Sequence, residues 1–198
     1  MWESNESNEG TELESAIANW SSPATKARVA GAFYVLSFLS AALAEALLHG
    51  KMMRIAGFVP ICCFTAVTLI LFRIFLPVGR VLSLIAALLN LVSLSFEALE
   101  FHPRGMNAAL VFHGGFCLLI ALLVLRSKFL PQILSAPMAI AGLAWLISLS
   151  PQMAHRLHAY MQGTGFAGEG VFMLWLLAWG VNNARWKEAA AKEAASSR

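Results

Sequence analysis

Charged residues are scarce in this chain. They make up 13% of its 198 residues, and aspartate is absent altogether, whereas soluble domains carry roughly 25% charged residues. So little charge, together with 59% hydrophobic residues and a mean hydropathy of +0.68, cannot cover a water-facing surface. The composition therefore excludes a soluble enzyme, a disordered chain and a nucleic-acid-binding protein. It makes the lipid bilayer the first partner to expect.

Cysteines are few, and standard catalytic motifs are missing. Cys62, Cys63 and Cys117 all lie within apolar runs, which favours reduced, buried side chains over a disulfide framework. No GxSxG, HExxH, P-loop or CxxCH motif occurs, so no standard catalytic or haem-attachment site is predicted. The acidic N-terminal residues lack the basic region of a secretory signal peptide, and we expect the first apolar run to stay as a membrane helix.

Six apolar runs are long enough to cross a hydrocarbon core of about 30 Å, which takes about 20 helical residues. They cover residues 29–49, 53–75, 78–101, 106–125, 130–149 and 168–183, and residues 151–167 form the one longer loop. The predicted fold is an all-α, polytopic six-transmembrane-helix bundle. A polar tail (1–27) precedes the membrane domain (28–185), and a helical, charged tail (186–198) extends the sixth helix.

Lysine and arginine set the predicted orientation. Ten of the 14 lie on the side that holds both termini, and four lie on the other side. Because cytoplasmic segments of membrane proteins carry the excess of basic residues, we expect both termini in the cytoplasm.

Histidine and glutamate fall on the opposite side of this topology. The five histidines and the four glutamates outside the tails all lie at its non-cytoplasmic face; they are Glu45, His49, Glu97, Glu100, His102, His113, His155, His158 and Glu169. On the third helix, Asn90, Ser93, Glu97 and Glu100 recur at helical spacing and share one stripe. In lipid, such a stripe should face the bundle interior.

These residues predict a polar pocket that opens at the non-cytoplasmic face. We expect its ligand-binding side chains to be Glu45, Asn90, Glu97, Glu100 and His113. Imidazole and carboxylate groups are also ligands for zinc or iron. A divalent metal would be held by His49, His113, His155, His158 and Glu169. All of these except His113, which lines the pocket, are expected at its mouth.

Three functions remain open at this point. The leading hypothesis is a protein that binds or transports a divalent metal, a proton or a small polar solute. The second is an intramembrane, metal-dependent hydrolase that acts on lipid. The third is an accessory or structural membrane protein whose polar groups pair internally and whose small residues serve helix packing. All three hypotheses are compatible with a homo-oligomer.

Several stretches resemble a bacterial membrane family catalogued as domain of unknown function 4386. They are RVAGAFYVL at 28–36 with Ala44-Glu45, Phe112-His113, the turn RSKFLPQIL at 126–134, and AGL at 141–143. The resemblance covers roughly residues 27–185, and Ser135 stands where the family usually has Gly. It implies six membrane spans and a bacterial origin, and hence the cytoplasmic (inner) membrane. It brings no established activity.

Overall fold

Seven α-helices make up most of the described chain. The computed structural model describes residues 22–47, 52, 56–101 and 103–196, without the side chains of Glu45, Arg104 and Ser196. The helices are α1 (Pro23–Leu47), α2 (Phe58–Phe75), α3 (Arg80–Ala98), α4 (Ala108–Arg126), α5 (Ser135–Leu146), α6 (Pro151–Ala178) and α7 (Asn183–Ser196). Short 3-10 turns, Gln132–Leu134 and Ile147–Leu149, flank α5. No β-strand occurs among these residues, as the all-α prediction requires.

The helices have the length and composition of membrane spans. Five described segments, those of α1 to α4 and residues 132–149, are long and apolar enough to cross a bilayer. A sixth span is added when the bent pair of α6 and α7 is counted as one. Large apolar side chains such as Leu39, Leu84 and Leu143 are exposed on the bundle surface, where acyl chains would cover them. The chain is therefore a polytopic helical membrane protein.

Six helices pack as a closed ring in chain order. Each of α1 to α5 contacts the helix that follows it, and α6 returns to contact α1. Short connections explain this order, because they make neighbours in sequence pack as antiparallel hairpins. The core lies on the axis of the ring, where Tyr34, Phe116, Trp145 and Phe172 are buried.

The sixth helix differs from its prediction. Residues 151–167, expected as a loop, form nearly the first five turns of α6. The side chain of Ser150 accepts a hydrogen bond from the backbone N–H of Met153, and Pro151 occupies the first helical turn, so the helix has a regular start. Its 28 residues span about 42 Å, longer than a hydrocarbon core of about 30 Å.

The C-terminal helix does not extend the sixth helix, so that prediction is wrong. The chain bends by 99° between α6 and α7, at Gly180, whose φ of +67° favours glycine. The Trp186 indole N–H then donates to the carbonyl of Ile74 at 2.8 Å. The backbone N–H of Ala24 donates to Asn183 Oδ1, also at 2.8 Å, so α7 lies at the end of the ring where α1 begins.

The first helix begins at Pro23, before the expected domain boundary at residue 28. Ser22 caps it, because its hydroxyl oxygen accepts a hydrogen bond from the backbone N–H of Thr25 at 3.1 Å. Residues 1–21 of the expected polar tail lie outside the described residues.

Candidate functional site

A buried carboxylate lies in the middle of the ring. Glu169, on α6, is 1% exposed and is hydrogen-bonded to side chains from three other helices. The Tyr34 hydroxyl donates to Oε2 at 2.5 Å, and the Trp145 indole N–H donates to Oε1 at 2.6 Å. His113 Nε2 lies 3.0 Å from Oε1. We call these four residues the Glu169 network.

Two glycines on α6 let Trp145 and α5 come close to Glu169. A Cβ at Gly165 would collide with the Trp145 ring, and a Cβ at Gly168 would collide with the carbonyl oxygen of Pro137. Gly165 precedes Glu169 by one helical turn, so the indole that lies over it presents its N–H to the carboxylate. Gly165 and Gly168 thereby determine where the Trp145 N–H lies relative to Glu169.

His113 is held through both ring nitrogens. Its Nδ1 lies 3.0 Å from Asn90 Oδ1, and the Asn90 amide N–H donates to Thr68 Oγ1 at 2.6 Å. The Thr68 hydroxyl donates in turn to the carbonyl of Phe64. Since the Thr68 proton is used there, Thr68 must accept from Asn90, and the amide oxygen of Asn90 must face the histidine. Nδ1 of His113 therefore carries a hydrogen.

One further proton lies between His113 and Glu169. A hydrogen bond between Nε2 and Oε1 needs a proton on one of the two atoms. The pair is then either imidazolium with carboxylate or imidazole with carboxylic acid, and both forms carry no net charge. Such neutrality is what a low-dielectric interior tolerates, because an uncompensated buried charge is strongly unfavourable.

A cavity leads from the far end of the ring to His113. It has a volume of about 320 Å³ and lies between the ends of α1 to α4 that are remote from α7. Its polar or charged lining side chains are Ser37, Ser93, Glu97 and His113. Ser37 and Ser93 donate to the carbonyls of Pro60 and Ala109. His113 is 13% exposed, so it is the member of the Glu169 network that this cavity reaches.

The fold brings several of the predicted site residues together. Asn90, Glu97 and His113 lie along the cavity or directly behind it, and Glu169 lies behind His113. Glu169 was expected at the pocket mouth, and that placement is wrong. It is buried because residues 151–167 are helical and move it to the middle of a longer helix.

Other predicted site residues lie elsewhere. Glu100 follows the end of α3 in a turn, with a φ of +50°, and does not line the cavity. His155 and His158 are exposed on the first turns of α6, about 21 Å and 16 Å along the helix from Glu169. They are too far away to share a metal ion with it. The side chain of Glu45 and residues His49 and His102 lie outside the described residues.

Sequence reasoning missed Tyr34, Trp145 and Cys117. Buried tyrosine and tryptophan usually need a hydrogen-bond partner, but the sequence of an apolar run does not indicate which residue that partner is. For Cys117 a signal exists, because it follows His113 by four residues and so lies on the same face of α4. Its Sγ is 3.7 Å from His113 Nε2. Cys62, expected to be buried, is exposed on α2.

Three potential metal ligands meet at the Glu169 network. One donor atom each from His113, Cys117 and Glu169 lies within 4.8 Å of the other two. Imidazole, thiolate and carboxylate are all zinc ligands. Of the five metal ligands predicted from the sequence, His113 and Glu169 belong to this group, and Cys117 is an addition to it.

Comparison with known proteins relates part of the chain to a catalogued family. No curated protein and no solved structure is significantly similar to the chain. A family model does match residues 94–180, from the end of α3 to the bend after α6. That stretch, less than half of the chain, includes His113, Cys117, Trp145 and Glu169. Over residues 94–180 the chain resembles the family described as domain of unknown function (DUF4386), as the motifs from Phe112 to Leu143 predicted. The expected resemblance over residues 27–93, including the motif at 28–36, lies outside the matched residues.

Proposed function

We propose that this protein binds a small polar ligand that enters the cavity from the non-cytoplasmic side, and that the His113–Glu169 pair is the inner end of the binding site. One observation carries the proposal: the open cavity leads directly to a histidine that is bonded to a fully buried glutamate. A divalent metal ion, a proton or a small polar solute belongs to this class of ligand.

Energetic cost argues for a functional role. A charged side chain near the bilayer centre costs about 2.5–3.5 kcal/mol on insertion scales, so such residues usually mark ligand or ion pathways. A leucine at position 169 would fill a similar volume without needing hydrogen-bond partners from three other helices. The protein instead uses Tyr34, Trp145 and His113 to satisfy this carboxylate.

The charge at the cavity favours a positively charged or strongly hydrogen-bonding ligand. Glu97 is exposed at the rim, and no lysine or arginine is among the described residues that line the cavity. An anionic rim raises the local concentration of cations. The excess of basic residues on the side of the termini supports a non-cytoplasmic position for this rim.

The hydrolase alternative receives less support. It requires a carboxylate that is free to act as a base on a water molecule. Both oxygens of Glu169 already accept hydrogen bonds from tyrosine, tryptophan or histidine. Glu97 is exposed at the rim rather than beside the buried donor atoms.

Cysteine accessibility tests the cavity and its charge preference. Leu110 lines the cavity one turn before His113, whereas Leu143 is exposed on the outer surface of α5. Leu110→Cys and Leu143→Cys would be made in a Cys62→Ser background, where Cys63 and Cys117 stay buried. Right-side-out membrane vesicles would be treated with cationic and anionic methanethiosulfonate reagents that do not cross the bilayer.

We expect Leu110→Cys to react from outside, faster with the cationic reagent, and Leu143→Cys to react with neither. Adding Glu97→Gln should remove the preference for the cationic reagent, because the described residues that line the cavity then include no carboxylate. A Leu110→Cys variant that only a lipid-permeant maleimide can modify would mean that the cavity is not open to water from the non-cytoplasmic side, and the proposal would fail.

A further inference from the structure

We infer that His113 Nε2, Cys117 Sγ and a carboxylate oxygen of Glu169 form a binding site for one divalent metal ion of the zinc type. This inference rests on the proposed function for the route by which the ion enters, through the cavity to His113. The ligand set itself rests on the geometry of the three side chains.

The distances between the donor atoms fit a single ion. His113 Nε2 lies 3.0 Å from Glu169 Oε1 and 3.7 Å from Cys117 Sγ, and all three donor atoms lie within 4.8 Å of one another. Zinc bonds of about 2.0 Å to nitrogen and oxygen and 2.3 Å to sulfur separate tetrahedral ligand atoms by about 3.3–3.6 Å. Small side-chain shifts are therefore sufficient to accommodate the ion.

The surrounding groups orient the ligands. Asn90 accepts the hydrogen of His113 Nδ1, which leaves Nε2 as the nitrogen that faces Glu169 and Cys117. A metal-ligating histidine almost always donates its other ring N–H in this way, and ligating carboxylates are in turn hydrogen-bonded. Tyr34 and Trp145 supply those hydrogen bonds to Glu169.

The charge and the chemical type of the three ligands favour a divalent ion of the zinc type. One thiolate and one carboxylate carry two negative charges, so a divalent ion makes the complex neutral within a low-dielectric bundle. Thiolate and imidazole are soft or borderline ligands that suit zinc, cobalt or iron, whereas magnesium and calcium prefer oxygen ligands. Three protein ligands also leave a fourth position for water or a second ligand.

Cobalt titration of the detergent-purified full chain tests the site. Co²⁺ bound to a thiolate gives a ligand-to-metal charge-transfer absorption that reports the cysteine directly. The variant Cys117→Ser removes the sulfur, and its matched control Cys63→Ser changes the other buried cysteine, on α2. A His155→Ala/His158→Ala double variant controls for adventitious binding at the exposed histidines of α6.

We expect about one Co²⁺ per chain, displaced by Zn²⁺, in the wild type, the Cys63→Ser variant and the histidine double variant. In Cys117→Ser the absorption band should disappear and the affinity should fall at least tenfold. Absence of Co²⁺ binding in the wild type, or an unchanged band in Cys117→Ser, would overturn the inference, as would loss of binding in the histidine double variant.

Two further measurements distinguish failure of the metal site from misfolding of a variant and from failure of the proposed cavity function. If Cys117→Ser does not fold, Asn90→Ala replaces it, because loss of the Nδ1 partner should weaken Co²⁺ binding at least tenfold with the sulfur band still present at saturation. Unchanged affinity in that variant would overturn the assignment of His113. Failure of metal binding with a reactive Leu110→Cys would reject the metal site and leave the proposed cavity function in place.

Discussion

The hydroxyl of Tyr34 on the first helix donates a 2.5 Å hydrogen bond to Glu169 on the sixth, across 135 residues of sequence. These two helices close the ring, so the bond joins the start of the bundle to its end. The carboxylate that receives it is also the partner of His113. Glu169 therefore belongs both to the contact that closes the ring and to the candidate site.

Tyr34→Phe should lower the stability of the bundle. The substitution removes one donor from a buried carboxylate, and hydrogen bonds to charged groups contribute about 1.5–3 kcal/mol. The free energy of unfolding, measured by denaturant titration in mixed micelles, should fall by about that amount. Tyr160→Phe is the matched control, because Tyr160 is 77% exposed on α6. Equal stability of the two variants would show that the Tyr34 bond does not stabilise the ring.

His113 and Glu169 should be energetically coupled. Alone, His113→Ala leaves a buried carboxylate without its charged or proton-sharing partner, which costs about 3–5 kcal/mol. In a Glu169→Gln background that charge is absent, so the same change should cost at least about 1 kcal/mol less. A double-mutant cycle of unfolding free energies measures the difference.

The control cycle pairs His158→Ala with Glu169→Gln. His158 is exposed on α6 and far from the network, so the two effects should add to within about 0.5 kcal/mol. Additive effects for His113 and Glu169 as well would mean that the two side chains do not act as a pair.

Two glycines of α6 should respond in opposite ways to alanine. At Gly168 a new Cβ would meet the backbone of Pro137, whereas at Gly170 it would meet nothing within 4 Å. Gly168→Ala should destabilise the bundle by about 1–3 kcal/mol through overpacking. Gly170→Ala should stabilise it by about 0.5–1 kcal/mol, because alanine is the better helix former. Thermal unfolding of the two variants in detergent compares them directly, and a stabilised Gly168→Ala variant would contradict the close approach of α5 and α6.

Both termini should lie in the cytoplasm. Single cysteines at Gln152, in the first turn of α6, and at Ala195, near the end of α7, are exposed at opposite ends of the bundle. In intact cells, in the Cys62→Ser background, a membrane-impermeant maleimide should label Gln152→Cys. It should reach Ala195→Cys only after permeabilisation. The reverse pattern would invert the topology and place the cavity on the cytoplasmic side.

Much of the architecture follows from local properties of the sequence. A span is predicted wherever about 20 residues carry almost no charge, because hydropathy is a property of each segment alone. The stripe of Asn90, Ser93 and Glu97 follows from helical periodicity in the same way, and in the structure Asn90 and Ser93 are buried while Glu97 lines the cavity.

The first turns of α6 escaped this reasoning. The polar composition of residues 151–167 fits a loop. It fits equally well a helix that projects beyond the hydrocarbon core. Their helical state depends on Ser150 and Pro151 at the start and on packing against α5. The depth of Glu169 follows from that state, so it could not be predicted from the segment alone.

The sequence by itself determined that the chain is a helical membrane protein, because the hydropathy of a span depends only on the residues within it. It also predicted histidine and glutamate near one face. Only the tertiary structure decided which of those residues meet. Tyr34, His113 and Trp145 converge on Glu169 from separations of 135, 56 and 24 residues. Such contacts depend on how each helix is rotated and how closely it approaches its neighbours, and side-chain packing between helices, rather than hydropathy within one, sets both quantities.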